Sequence, residues 1–85
     1  MARMEMDGAQ FGPDVPADVF FELGLKYATG RDVARDMVLA HKWMNIAATK
    51  GSRPALALRA EFAEEMSRSE VAAAQRAARE FLSIH

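Results

Sequence analysis

The fold of this chain is decided by residues 23–51, which read LGLKYATGRDVARDMVLAHKWMNIAATKG. Apolar and small residues recur at helical spacing on both sides of Gly30, which predicts helices over about 16–29 and 36–50. Gly30 and Gly51 follow the two patterns, at the position where a left-handed residue commonly ends a helix. Because the connection is short, the two helices must be antiparallel neighbours. The stretch therefore predicts one helical hairpin.

The second half of the chain carries the signals of two more helices. Ser52 can cap a helix over about 53–66 by accepting a hydrogen bond from its first turn. Ser67 and Glu70 form an S-x-x-E capping box at the start of a helix over about 68–82. No sustained strand-like alternation occurs. We therefore expect an all-α fold of four helices, arranged as two stacked antiparallel helical hairpins.

These patterns define one helical domain behind a tail. A length of 85 residues suffices for a single core of packed helices. Residues 1–15 combine polar residues with glycine and proline and show no periodicity, so we expect a flexible N-terminal tail. The helical domain covers residues 16–82, with a first helix pair over 16–51 and a divergent second pair over 52–82.

Composition and charge limit the possible partners. The formal net charge is −1 with acids and bases interleaved, so no basic surface for nucleic acid is expected. The chain has no cysteine, which excludes disulfides and thiolate chemistry. No apolar run approaches the ~18 residues that span a bilayer, so we expect no membrane partner and a cytoplasmic location. We predict no cofactor and no metal, because phosphate-binding loops and clustered metal ligands are absent.

The first hairpin resembles the Sel-one-like repeat, a relative of the tetratricopeptide repeat. The resemblance covers about residues 17–52 and implies a short tetratricopeptide-like α-solenoid. It implies a non-enzymatic adaptor of the kind often found in bacterial regulatory and envelope-stress settings. The second hairpin keeps the helix-pair pattern but few signature residues, and looks like a capping hairpin that ends a solenoid. The signature positions are Leu23, Gly24, Tyr27, Gly30, Val33, Asp36, Ala40, Trp43, Ala47, Ala48 and Gly51.

The small residues of this signature have a packing role of their own. Gly24 opposite Ala40 and Ala47 lets two helices approach closely. Large aromatic side chains beside such gaps supply buried area. We therefore expect Trp43 to lie largely buried against Gly24 or Tyr27.

Two apolar stripes run along the first helix. The first stripe should pack on the second helix, and it comprises Val19, Phe20, Leu23 and Tyr27. The second stripe, Phe21, Leu25 and Ala28, exceeds what one helix-pair core requires. In tetratricopeptide-like geometry this side of the helix lines a groove. A shift of 36 residues, from residue 19 to residue 55, superposes the first helix on the third and sets Glu61 and Glu64 beside this stripe.

The second stripe of the first helix is the basis for the function that we expect. We expect a protein-interaction module that binds a peptide or helix of another protein along a shallow groove, with Phe21 and Leu25 as apolar anchors. Ala28 extends the stripe, while Glu61 and Glu64 form a charged rim. The alternatives are a structural homo-oligomer that pairs through the same stripe, or a stripe covered by the third helix or the tail. A monomer or a weak homodimer is expected in solution.

Candidate chemistry in the sequence is sparse. His41 has no second imidazole one helical turn away, so we expect a solvated helix position rather than a ligand. The carboxylates of Glu61, Glu64 and Glu65 favour a solvated or partner-binding surface over acid–base catalysis. We therefore predict no catalytic residue and no enzymatic activity. Four basic residues around the first turn could form a small anion site; they are Lys26, Arg31, Arg35 and Lys42.

Overall fold

The computed structural model describes residues 15–84, which form four α-helices and no strand. The all-α prediction is therefore confirmed, and each helix begins and ends within two residues of its expected bounds. The predicted tail lies outside the described residues except for Val15, which packs against the core. The helices are α1 (Ala17–Thr29), α2 (Met37–Thr49), α3 (Arg53–Glu64) and α4 (Arg68–Ile84).

Local capping explains where the first two helices end and begin. Gly30 has φ 76°, and its N–H donates to the Lys26 carbonyl at 2.9 Å. The Asp36 carboxylate accepts a hydrogen bond from the Leu39 N–H at 3.0 Å and so caps α2. Gly51 follows α2 with φ 109°, a left-handed conformation that a side chain would resist. The two glycines thus act as the sequence predicts.

Serine side chains cap the other two helices. The Ser52 Oγ accepts from the Ala55 N–H at 3.3 Å at the start of α3. At the start of α4, the Glu70 N–H donates to Ser67 Oγ at 3.1 Å, and the Ser67 N–H donates to Glu70 Oε1 at 2.8 Å. The predicted capping box is therefore confirmed in both of its hydrogen bonds.

Ser67→Ala is expected to lower the free energy of unfolding by about 1 kcal/mol, because it leaves a backbone donor of α4 without its side-chain acceptor. Hydrogen exchange of the amides of residues 68–71 should become faster. Ser69→Ala is the matched control, since Ser69 contacts the Ser67 hydroxyl but caps no backbone N–H. Unchanged exchange in Ser67→Ala would show that the capping box does not hold the start of α4.

The helix α2 is the centre of the molecule. The other three helices, α1, α3 and α4, each pack extensively on it, whereas α3 and α4 make only sparse contacts with each other. The two hairpins are therefore joined through α2. The divergence of α3 from α4 leaves a cleft between them, described below.

An aromatic cluster of Phe20, Trp43 and Phe81 joins α1, α2 and α4. Phe20 stacks on Trp43 at a centroid distance of 5.8 Å and an interplanar angle of 14°. The Phe81 ring meets both edge-on, at 5.7 Å from Phe20 and 5.2 Å from Trp43. The rest of the core is mostly small or aliphatic, and its buried residues are Ala40, Met44, Ile46, Ala47, Ala55, Phe62, Ala74 and Ala78.

Gly24 does allow a close helix approach, but its neighbour differs from the one expected. A Cβ at residue 24 would lie 2.8 Å from Cε and 3.0 Å from Cγ of Met44, whose side chain is fully buried. Trp43 is half-buried and packs in the aromatic cluster instead. Met44 thus takes the position beside Gly24 that the sequence assigned to Trp43.

Candidate functional site

The five residues predicted to bind a partner divide between α1 and α3. Phe21, Leu25 and Ala28 are half-buried on α1, and each packs against the edge of the core. Glu61 and Glu64 are exposed on α3. The apolar stripe thus retains accessible surface while contributing to the fold.

Arg35 connects the carboxyl ends of α1 and α3. Its Nε donates to the carbonyl oxygen of Ala28 at 2.9 Å, and its Nη2 lies 3.3 Å from Glu65 Oε1. Ala28 ends the apolar stripe, and Glu65 directly follows α3. One side chain therefore links the end of the stripe to the acidic end of α3.

The first stripe of α1 is less buried than its pattern predicts. Only Phe20 and Gly24 are buried on this helix, because they face α2. Leu23 and Tyr27 are half-buried and pack against the core. Val19 is also half-buried, and together with Leu23 it lines a surface pocket with charged neighbours. Of the first stripe, Phe20 thus belongs to the core, Leu23 and Tyr27 pack against it, and Val19 lies at its edge.

The four basic residues of the first turn do not form one site. Arg35 is engaged with Ala28 and Glu65, and Arg31 lies 3.9 Å from Glu22. The Lys42 Nζ lies 4.4 Å from the centroid of the Trp43 ring, over the aromatic cluster. These four residues therefore do not converge on one anion site, although Lys26 and Arg31 line the same surface pocket.

His41 is buried rather than solvated. The side chain is 2% exposed, and its Nδ1 has no hydrogen-bond partner in the part of the chain that the structure describes. The expectation that His41 is solvated is wrong. Three helices pack against α2, so little of its surface is left exposed. Buried polar atoms are nearly always hydrogen-bonded, so this nitrogen is exceptional.

A cleft of about 500 Å³ separates α3 from α4, and His41 contributes to its lining. Its volume lies within the range of ~300–1,000 Å³ that is typical of small-molecule sites. Two of the lining residues are joined by a hydrogen bond, which Arg59 Nη1 donates to Asn45 Oδ1 at 2.7 Å. The lining residues are His41 and Asn45 from α2, Arg59, Ala60 and Ala63 from α3, and Val71, Gln75 and Arg79 from α4.

The cleft was not predicted from the sequence. Its polar residues are spread over three helices and share no motif, so their convergence depends on how α3 and α4 pack on α2. One signal was present: α2 contains apolar residues around most of its circumference, which is typical of a central helix. That pattern predicts burial for His41 as well.

The electrostatics of the cleft are set by burial and by arginine. Burial lowers the pKa of His41 below its ordinary value, the nearby Arg59 guanidinium lowers it further, and a backbone interaction of the ring opposes both effects. The imidazole is therefore neutral at neutral pH. Burial also lowers the pKa of Lys42, an effect that the Glu80 carboxylate opposes.

The lowered pKa of His41 predicts that the protein loses stability on mild acidification. Below the ordinary histidine pKa of about 6.5, the unfolded chain binds a proton that the folded protein resists. The free energy of unfolding should therefore fall as the pH decreases through this value, and level off below the folded-state pKa. The slope cannot exceed about 1.4 kcal/mol per pH unit, the limit for one proton.

His41→Leu should remove this slope and leave the fold intact, because it replaces an unpaired buried polar atom by an apolar group. Urea denaturation at a series of pH values above the carboxylate range measures the effect. The His85 imidazole is common to both proteins and cancels in the comparison. An identical slope in wild type and variant would contradict the prediction.

No group of three or more His, Cys, Asp or Glu residues within residues 15–84 could hold a metal ion. None of the four helices is long and apolar enough to cross a membrane.

No family model, curated protein or solved structure matches this chain.

Proposed function

We propose that this chain is a non-enzymatic binding module that holds a peptide or helix of another protein in a shallow groove along α1 and α3. The observation that carries the proposal is the Arg35 bridge between the Ala28 carbonyl and the Glu65 carboxylate. It brings the end of an apolar stripe close to the acidic end of α3. An apolar surface next to a charged rim is a common arrangement for peptide recognition.

The apolar part of the groove is the stripe of Phe21, Leu25 and Ala28. These residues follow helical spacing, and each is half-buried, so their inner edges are held by the core while their outer edges remain accessible. Side chains fixed in this way lose little conformational freedom on binding. Phe21 is the natural anchor, since aromatic residues commonly carry much of an interface's energy.

The charged part of the groove favours a basic or amphipathic partner. Glu61 and Glu64 are exposed on α3, and Glu65 lies beside them. Exposed rim carboxylates mainly accelerate and orient encounter with a positively charged segment. The partner would place apolar side chains on the α1 stripe and lysines or arginines along α3.

The resemblance of residues 17–52 to the Sel-one-like repeat supports the same proposal, because repeats of that type act as adaptors. In this proposal the second hairpin caps the end of a short solenoid. We extend the proposal to a bacterial protein on the strength of this resemblance, and we keep the cytoplasmic location expected from the sequence.

Phe21→Ala is expected to weaken partner binding by roughly 1–3 kcal/mol while the protein remains folded. The probe is a basic amphipathic peptide, selected from a displayed library on the wild-type protein and measured by fluorescence anisotropy. Leu56→Ala is the matched control, because Leu56 is an exposed apolar residue of α3, 50% accessible, outside the stripe. Glu61→Ala should mainly slow association and reduce its dependence on salt.

Thermal unfolding and light scattering of the same variants complete the test. If the selected peptides bind Phe21→Ala and wild type equally, the groove proposal fails. If wild type is a dimer and Phe21→Ala a monomer, the stripe serves self-association, and the homo-oligomer replaces the hetero-partner.

A further inference from the structure

The side chains that line the cleft between α3 and α4 carry a net positive charge, whereas the chain as a whole is slightly negative. Two of its lining residues, Arg59 and Arg79, are positively charged, and no carboxylate lines it. The whole chain has a formal net charge of −1. Positive charge gathered in a concave site, without acidic neighbours to neutralise it, attracts anions.

The polar groups of the cleft are mostly hydrogen-bond donors. The bond from Arg59 to Asn45 occupies the amide oxygen of Asn45, which leaves the Asn45 NH₂ group and the other N–H groups of Arg59 to donate. Arg79 forms no ion pair within residues 15–84. Gln75 adds an amide one turn before Arg79. Such a donor set matches the oxygens of a carboxylate or phosphate group.

His41 adds a neutral, almost completely buried imidazole to the lining of the cleft. Its ring lines the cleft, is almost completely buried, and contains a nitrogen with no partner among the described residues. A buried polar atom without a hydrogen bond costs free energy. An arrangement selected only for stability would favour an apolar residue here.

The walls of the cleft are apolar. Ala60 and Ala63 form the α3 side, and Val71 faces them from α4. Because these wall residues are small, they leave the space between α3 and α4 unfilled. A ligand that fills the cleft must therefore have an apolar body as well as a charged group.

We propose that this cleft binds a small amphipathic organic anion, with its carboxylate or phosphate group held by Arg59 and Arg79 and its apolar body between Ala60, Ala63 and Val71. The site is separate from the groove along α1 and α3, so it adds a second, small-molecule function to the proposed protein-binding one. Occupancy joins α3 to α4 and rigidifies the second hairpin.

The test uses the full chain, labelled with ¹⁵N, and three probes of equal chain length: octanoate, octyl phosphate and octylammonium. Octanoate or octyl phosphate should give saturable shifts of the Ala60, Ala63 and Gln75 signals, whereas octylammonium should not. Which of the two anions binds more tightly identifies the head group. Inorganic phosphate alone should bind more weakly than octyl phosphate, because it lacks the apolar body.

Arg79→Gln should weaken binding of the preferred anion roughly tenfold, the effect of one charge-assisted hydrogen bond. Arg76→Gln is the matched control, since Arg76 is exposed on the same helix but does not line the cleft. Ala60→Leu should block the site by filling it from an exposed position.

Three results would overturn the proposal. They are equal shifts with octylammonium, no saturable shift with either anion, or equal affinities of Arg79→Gln and Arg76→Gln. Peptide binding to the α1 stripe is measured on the same variants and should be unchanged by Arg79→Gln. Failure of one site is thereby distinguished from failure of the other.

Discussion

Phe20→Ala is expected to lower the free energy of unfolding by roughly 3–5 kcal/mol, the range for deleting a buried phenylalanine. Phe20 is fully buried and stacks on Trp43 while Phe81 meets its edge. The variant would leave a cavity at the point where α1, α2 and α4 meet. Domains are stable by only about 0.05–0.15 kcal/mol per residue, so the loss removes much of the stability of this chain.

Urea denaturation followed by circular dichroism measures the effect, and Trp43 provides a second readout. It is the only tryptophan, so its fluorescence reports directly on the stack with Phe20. Phe21→Ala is the matched control, because Phe21 is the adjacent phenylalanine and is only half-buried. Equal losses in the two variants would mean that α1 faces α2 through a different line of residues.

Gly24→Leu is expected to cost roughly 2–4 kcal/mol of stability through overpacking. A Cβ at residue 24 would already lie 2.8 Å from Met44 Cε, and a leucine adds three further carbons. Met44 is fully buried, so any shift of its flexible side chain must disturb the packed core around it. Leucine has a helix propensity up to about 1 kcal/mol better than glycine, and the steric cost must exceed that gain.

A double variant separates steric conflict from other effects of Gly24→Leu. Adding Met44→Ala should recover part of the lost stability, because the leucine can then occupy the space of the missing methionine. Ala72→Leu, at an exposed position of α4, is the control for adding a leucine to a helix. A denaturation midpoint for Gly24→Leu equal to that of wild type would show that α1 and α2 do not meet at this residue.

The helices and their ends could be predicted from the sequence because their causes are local. Asp36, Ser52 and Ser67 each accept hydrogen bonds from N–H groups within three residues. Gly30 and Gly51 adopt positive φ in the turns that follow α1 and α2. Each of these signals lies within one helical turn of the structure it produces, so no knowledge of the tertiary fold is needed.

The candidate sites were predictable only in part. The partner-binding residues share a helical spacing, which identified the stripe of Phe21, Leu25 and Ala28 on α1. Spacing alone could not show how deeply each residue of the first stripe is buried, and Val19 lies at the edge of the core while Phe20 is fully buried. The link from Ala28 to Glu65 through Arg35 joins residues far apart in sequence and could not be inferred.

The sequence by itself determined four helices, their caps and the close approach of α1 to α2 at Gly24. Only the tertiary structure decided that α2 is central, that Met44 rather than Trp43 meets Gly24, and that His41 is buried beside Arg59. Helix formation follows from contacts three or four residues apart. The neighbours of α2 depend on how three separate helices share its surface, and small alanine-rich faces permit several such arrangements until the side chains of all four helices pack together.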